Sequence, residues 1–128
     1  MKFAYCLAAL ALGVLAEDGV GAVFDGTYLD ANHPEGYRLI TIDGDLDPET
    51  QLRSGTCVGS DTSQTEPAYT LPAKAGKNSD GSDIIFIDFS PKGGPKDLEG
   101  FYDTDGGVGI RFTDGNKWPK VSSEEFLQ

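Results

Sequence analysis

Short apolar runs alternate with polar residues along this chain, and most runs stop at glycine, proline or an acidic turn. Val108, Ile110 and Phe112 alternate with Gly109, Arg111 and Thr113, a period of two that gives a strand one apolar face. The same pattern predicts strands over Val23–Leu29, Tyr37–Ile42, Thr56–Gly59, Ala68–Leu71, Ile84–Phe89, Leu98–Tyr102, Val108–Phe112 and Lys117–Val121. Ile84–Phe89 is apolar on both faces apart from Asp88, as expected of a strand covered on two sides. Helical pattern is poor: only Asp47–Leu52 and Ser122–Leu127 have residues for a single turn. Asp43-Gly44 and Asp114-Gly115 read as hairpin turns, because Asp-Gly supplies the positive φ such turns need.

A faint repeat links the two ends of this pattern. Phe24-Asp25-Gly26-Thr27-Tyr28 parallels Leu98-Glu99-Gly100-Phe101-Tyr102, and each copy leads into an extended run that closes in Asp-Gly. Two related hairpins at opposite ends of one sheet would let the first and last strands meet, and closure removes aggregation-prone edges. The expected fold is therefore all-β, a small antiparallel up-and-down barrel or strongly curled meander of about eight short strands.

Gly26-Thr27-Tyr28 resembles the Gly-x-Trp start of avidin-like and lipocalin-like barrels, with tyrosine in place of the tryptophan. That likeness implies a barrel and carries over no ligand. "DFSPKGGPKDLEG" with "GIRFTDGNKW" resembles a group of uncharacterised small secreted or lumenal β proteins of marine microalgae, which implies a shared fold and brings no known function.

The N-terminal pattern changes the size of the domain. Met1-Lys2, the apolar stretch Phe3–Leu15 and the small-residue site ending at Ala16 read as a cleaved signal peptide over residues 1–16. The stretch is short for a membrane span, which takes about 20 residues. Residues 17–128 then form a single β domain, secreted or lumenal, with nine cationic residues against 21 acids and a net charge of −12. So acidic a surface excludes nucleic acid and anionic membranes as partners, since both call for basic patches. Cys6 leaves with the leader, so Cys57 is the mature chain's one cysteine, either a buried thiol or half of an intermolecular disulfide.

Candidate chemistry is sparse. Lys92, Gly93, Gly94 and Lys96 lie in a Ser-Pro-Lys-Gly-Gly-Pro-Lys loop, which reads as a rigid connection or, alternatively, as an anion nest of consecutive N–H groups. Asp43, Asp45 and Asp47, with Asp103 and Asp105 in a second acidic turn, are candidate calcium ligands. The EF-hand pattern fails there, because Pro48 stands where glycine is required and Ser54 where the bidentate glutamate belongs. No other cofactor is implied. The lone histidine, His33, rules out a multi-histidine zinc site and would have to serve any triad.

The aromatic residues carry the leading functional reading. Trp118, Tyr28 and Tyr102, with Asp88, are expected to line a pocket for a small molecule or saccharide in or at the mouth of the barrel. That reading makes the protein a secreted, non-enzymatic binding module. Two alternatives are a small secreted enzyme using carboxylates such as Asp88, with or without His33, and a calcium-responsive or self-associating structural protein.

Overall fold

The computed structural model describes residues 19–122. The leader expected over residues 1–16 and the turn expected beyond Ser122 lie outside the described residues. Eight strands follow in order: β1 (Gly26–Asp30), β2 (His33–Thr41), β3 (Leu52–Ser60), β4 (Tyr69–Lys77), β5 (Asp83–Ile87), β6 (Leu98–Asp103), β7 (Gly109–Phe112) and β8 (Lys117–Val121). Each pairs antiparallel with the next, and β8 returns to β1 through Thr27↔Val121 and Tyr28↔Lys120. The result is the closed up-and-down barrel expected from the pattern.

Several strands outrun their sequence signal. β3 and β4 each hold nine residues, although "LRSG" and "PAKAGK" are poor strand formers on propensity alone. Neighbours on both sides hydrogen-bond them, so the ladder overrides propensity. Pro72 sits where the β4–β5 pairing ends: its carbonyl accepts from the Asp88 N–H, the reciprocal bond that an N–H at Pro72 would make is missing, and β5 stops at Ile87.

The expectation of a strand from Val23 needs correction. Ala22–Phe24 form a 3-10 turn instead, with the Phe24 N–H on the Gly21 carbonyl at 3.1 Å. Gly21 stands at φ +79, and the turn drops Phe24 into one end of the barrel. Tyr28 Oη then donates to the Phe24 carbonyl at 2.7 Å, which ties this plug to β1. Asp43-Gly44 is not a hairpin turn. The β2–β3 connection runs over residues 42–51, the Gly44 N–H continues the ladder onto the Ser54 carbonyl, and the chain reverses at the turn from Asp47 to Gln51. Asp114-Gly115 does reverse the chain, with Gly115 at φ +96 and its N–H on the Phe112 carbonyl. Val108 belongs to the turn before β7 and is 39% exposed, so the apolar face there reduces to Ile110 and Phe112.

The two hairpins of the faint repeat have matching registers. Gly26 pairs with Ile40 and Tyr28 with Arg38, while Gly100 pairs with Phe112 and Tyr102 with Ile110. A Cβ on Gly100 would stand 2.7 Å from Ile110 Cγ2, so the glycine makes room for inward side chains. The pairing also exposes a difference: Arg38 occupies the place of Ile110.

Inward residues fill most of the cylinder. Ile40, Ile42, Cys57, Leu71, Ala73, Ala75, Ile85, Ile87, Ile110, Phe112 and Trp118 form one cluster with Phe24 and Tyr28. An eight-stranded barrel is about wide enough for its own side chains to fill. The β2–β3, β4–β5 and β6–β7 connections share the end plugged by Phe24. The other four connections surround the opposite end, which stays open.

Candidate functional site

Arg38 is the centre of the open end. It alternates with Leu39 and Thr41 along β2, so it points inward with Ile40 and Ile42 and is 2% exposed. A guanidinium so placed has five N–H donors to satisfy. Nη1 donates to the carbonyls of Tyr37 (3.0 Å) and Ser60 (2.9 Å). Nη2 donates to Asp30 Oδ2 (3.3 Å) and Asp61 Oδ1 (2.8 Å). Nε has no partner among the described residues. The guanidinium carbon lies 5.2 Å from the centre of the Trp118 ring and 5.7 Å from that of Tyr69, within cation–π range of both.

Around Arg38 the charges are matched pairwise. Asp30 is almost fully buried, and its other oxygen accepts from the Asn32 N–H (3.0 Å) and Asn116 Nδ2 (3.1 Å). Asp61 follows β3 and also receives Lys92 Nζ at 2.7 Å and the Tyr69 hydroxyl at 3.3 Å, with His33 Nε2 at 3.9 Å. Partial burial would raise the Asp61 pKa, but the Lys92 hydrogen bond and the Arg38 and Lys92 charges outweigh it and hold the carboxyl below its ordinary range. Burial pushes the Tyr69 phenol up, against the opposing pull of Arg38.

Lys92 reaches Asp61 because its loop is folded on itself. The Asp88 carboxylate accepts from the Ser90 N–H, and Ser90–Lys92 makes one 3-10 turn that ends at Gly93 with φ +87. The N–H groups of Lys92 and Gly94 bond to the Phe89 carbonyl, and that of Gly93 to the Ser90 carbonyl. These bonds consume the donors an anion nest would offer, so the loop is a strap across the mouth. It also carries Phe89 inward, edge-on to Phe112 and Trp118 at centroid distances of 6.4 and 5.9 Å. Lys92 Nζ meanwhile lies 4.3 Å from the Tyr69 ring centre.

Between strap and core is a cavity of about 270 Å³. Trp118, Phe112, Phe89 and Leu98 supply its apolar lining, and Asp30, Arg38, Lys92, His33, Asn116 and Asp114 its polar lining. Gly93, Gly94 and Pro95 edge it.

The residues predicted from sequence divide among different places. Trp118 and the Lys92, Gly93 and Gly94 segment line the mouth. Tyr28 and Tyr102 belong to the plugged end, where Tyr102 meets the Phe24 ring edge-on at 5.9 Å, so they line no mouth. Asp88 and Lys96 sit on the outer wall with Pro72 and Phe86, separated from His33. The Ser90 hydroxyl and N–H hold the Asp88 carboxyl below its ordinary range. Asp43, Asp45 and Asp47 lie in the β2–β3 connection, and Asp103 and Asp105 at the β6–β7 turn, all at the plugged end. Among the described residues no three acidic, histidine or cysteine side chains gather as a metal site. Asp103 is instead engaged by Lys117 (3.2 Å) and Arg111 (3.5 Å), and Asp47 accepts from the Glu49 N–H. Cys57 is a free, fully buried thiol, out of reach of a second chain while the barrel is closed.

Arg38, Asp30, Asp61 and Phe89 were not read from the sequence. A signal existed for Arg38, because it shares the alternation of Ile40 and Ile42. Asp30 likewise lies two residues past the inward Tyr28. Asp61 had none, since it lies past the end of β3.

No family model, curated protein or solved structure matches this chain. What remains of the two resemblances is the closed eight-stranded barrel itself, which fixes no activity.

Proposed function

We propose that this protein is an exported, non-enzymatic binding module that holds a small molecule or saccharide at the mouth of its barrel. The observation that carries the reading is the cavity of about 270 Å³ at the open end, lined by both aromatic and polar side chains, above a filled core. Ligand sites are concave and largely apolar with a few placed polar groups, and typical ones start at about 300 Å³. The mouth stands near that lower limit, which suits a ligand the size of one sugar ring. Its walls come from strands and from a strap bonded to itself, so the shape is largely preformed and little ordering opposes binding. The acidic net charge favours an uncharged or cationic ligand over an anionic one.

Trp118 is the single tryptophan and lines the mouth, so its emission is a direct reporter. Titration with a panel of neutral saccharides and small aromatic alcohols should produce a saturable change in that emission, lost in Phe89→Asp. Silence of Trp118 across the panel, with no protection in a thermal-shift screen, overturns the reading.

A further inference from the structure

Arg38 Nε is a buried donor with no partner among the described residues. The other four N–H groups of the guanidinium are satisfied by protein oxygens, and the side chain is 2% exposed while lining the mouth cavity. Natural interiors leave few such groups, because an unsatisfied buried donor costs about 1–3 kcal/mol. The position is also deliberate in the register: the matching hairpin carries Ile110 opposite Tyr102, where this one carries Arg38 opposite Tyr28. A leucine or isoleucine would have closed the core without needing two carbonyls and two carboxylates to support it.

Charge decides what kind of acceptor fits. The positive charges of Arg38 and Lys92 are matched by Asp30 and Asp61, and Asp114 adds a further carboxylate to the lining. An anion entering the cavity would be desolvated beside those carboxylates with no cation left to pair it. A cationic ligand would bring its charge up against Arg38 and Lys92, which a neutral ring does not. An uncharged ligand with an acceptor oxygen meets both conditions.

We propose that Arg38 sets the specificity of the mouth through Nε: the site takes an uncharged, monosaccharide-sized polyhydroxyl ring that places one oxygen on Nε, and it rejects the corresponding carboxylate. This rests on the binding reading above and goes beyond it in naming the ligand's charge and the donor that recognises it. Discrimination of this kind comes as much from the penalty on the wrong ligand as from contacts to the right one.

The test uses matched sugar pairs: glucose against glucuronate, and galactose against galacturonate, with N-acetylglucosamine as a further neutral ring. Trp118 emission measures binding. The arginine Nε–Hε cross-peaks in a nitrogen–proton correlation spectrum measure contact, and only three arginines contribute. The expected result is saturable binding of at least one neutral sugar, at least about tenfold tighter than its uronate, with the Arg38 cross-peak shifting in step with Trp118. A neutral sugar that moves Trp118 and leaves the Arg38 cross-peak in place overturns the assignment of Nε. A uronate that binds as well as its neutral partner overturns the charge selection. In both cases the mouth is still a binding site. If no sugar moves Trp118, the saccharide reading itself is lost and the Nε assignment goes with it.

Discussion

Lys92 Nζ lies 2.7 Å from Asp61 Oδ2, although the two residues are 31 positions apart and approach the mouth from opposite connections. This contact ties the strap that follows β5 to the loop that follows β3, across the face of Tyr69. Both side chains are about a quarter exposed, so the pair is partly screened by solvent. Lys92→Met should therefore lower global stability by only about 0.5–1 kcal/mol. Its larger effect should be local. Hydrogen exchange at the Phe89 and Gly94 amides should speed up markedly, while core amides such as that of Ile85 change little. Equal acceleration at all three sites would show that the pair holds the whole barrel and not the strap.

The same carboxylate gives a pH dependence of known sign. Its folded-state pKa is depressed, so its contribution to stability is complete above the unfolded-state carboxylate value of about 3.9 and is lost as pH falls through the lower folded value. Denaturant midpoints measured from pH 7 down to pH 3 should fall less steeply for Asp61→Asn than for the native protein. Parallel profiles would mean that Asp61 is not held below its ordinary range.

Arg38 and Asp30 form a buried pair, and removing one member leaves the other uncompensated. Arg38→Met should cost about 3–5 kcal/mol, because Asp30 remains charged or must take up a proton inside the barrel. Adding Asp30→Asn to it should recover at least about 1 kcal/mol, since an uncompensated charge is the costliest part of the loss. Chemical denaturation of the two variants checks the difference. A double variant no more stable than the single one would assign the loss to packing against Trp118 and Tyr69.

Cys57 should be chemically silent in the native state. Burial pushes its thiol up to about 12, despite the opposing influence of Arg38 and Lys92, so little thiolate exists near neutral pH. A thiol reagent at pH 8 should label it only at the rate of barrel opening, and at once in denaturant. Non-reducing electrophoresis of protein kept folded should show a monomer. Rapid labelling without unfolding would mean the interior is more open than the packing indicates.

How far the mouth could be read in advance depended on the residue. Trp118 was legible, because a lone tryptophan just after an Asp-Gly turn sits where a strand leaves a barrel rim. The loop from Ser90 to Lys96 was legible as a rigid reversal, and its bonds show why: proline and glycine let three amides fold back on Phe89 and Ser90. For Tyr28 and Tyr102 the end of the barrel was not legible, since a period of two gives the face of a strand and not the height along the barrel. Asp88 could be read two ways, as a locally bonded acid at a strand end or as one facing a ligand, and its bond from the Ser90 N–H is the local one. An acid at the end of an apolar strand can turn into the mouth or out to the wall, and the strap that Asp88 itself begins takes it outward.

The sequence by itself determined eight strand segments and most of the punctuation between them. These follow from local alternation and from the backbone freedom of particular residues, which act over a few positions. Only the tertiary structure decided which end is plugged, that Asp30 and Asp61 converge on Arg38 with Lys92 on Asp61, and that one guanidinium N–H has no partner among the described residues. Those facts depend on strand register and on loop ends dozens of residues apart, and on whether each buried charge finds an oxygen, which no local pattern specifies.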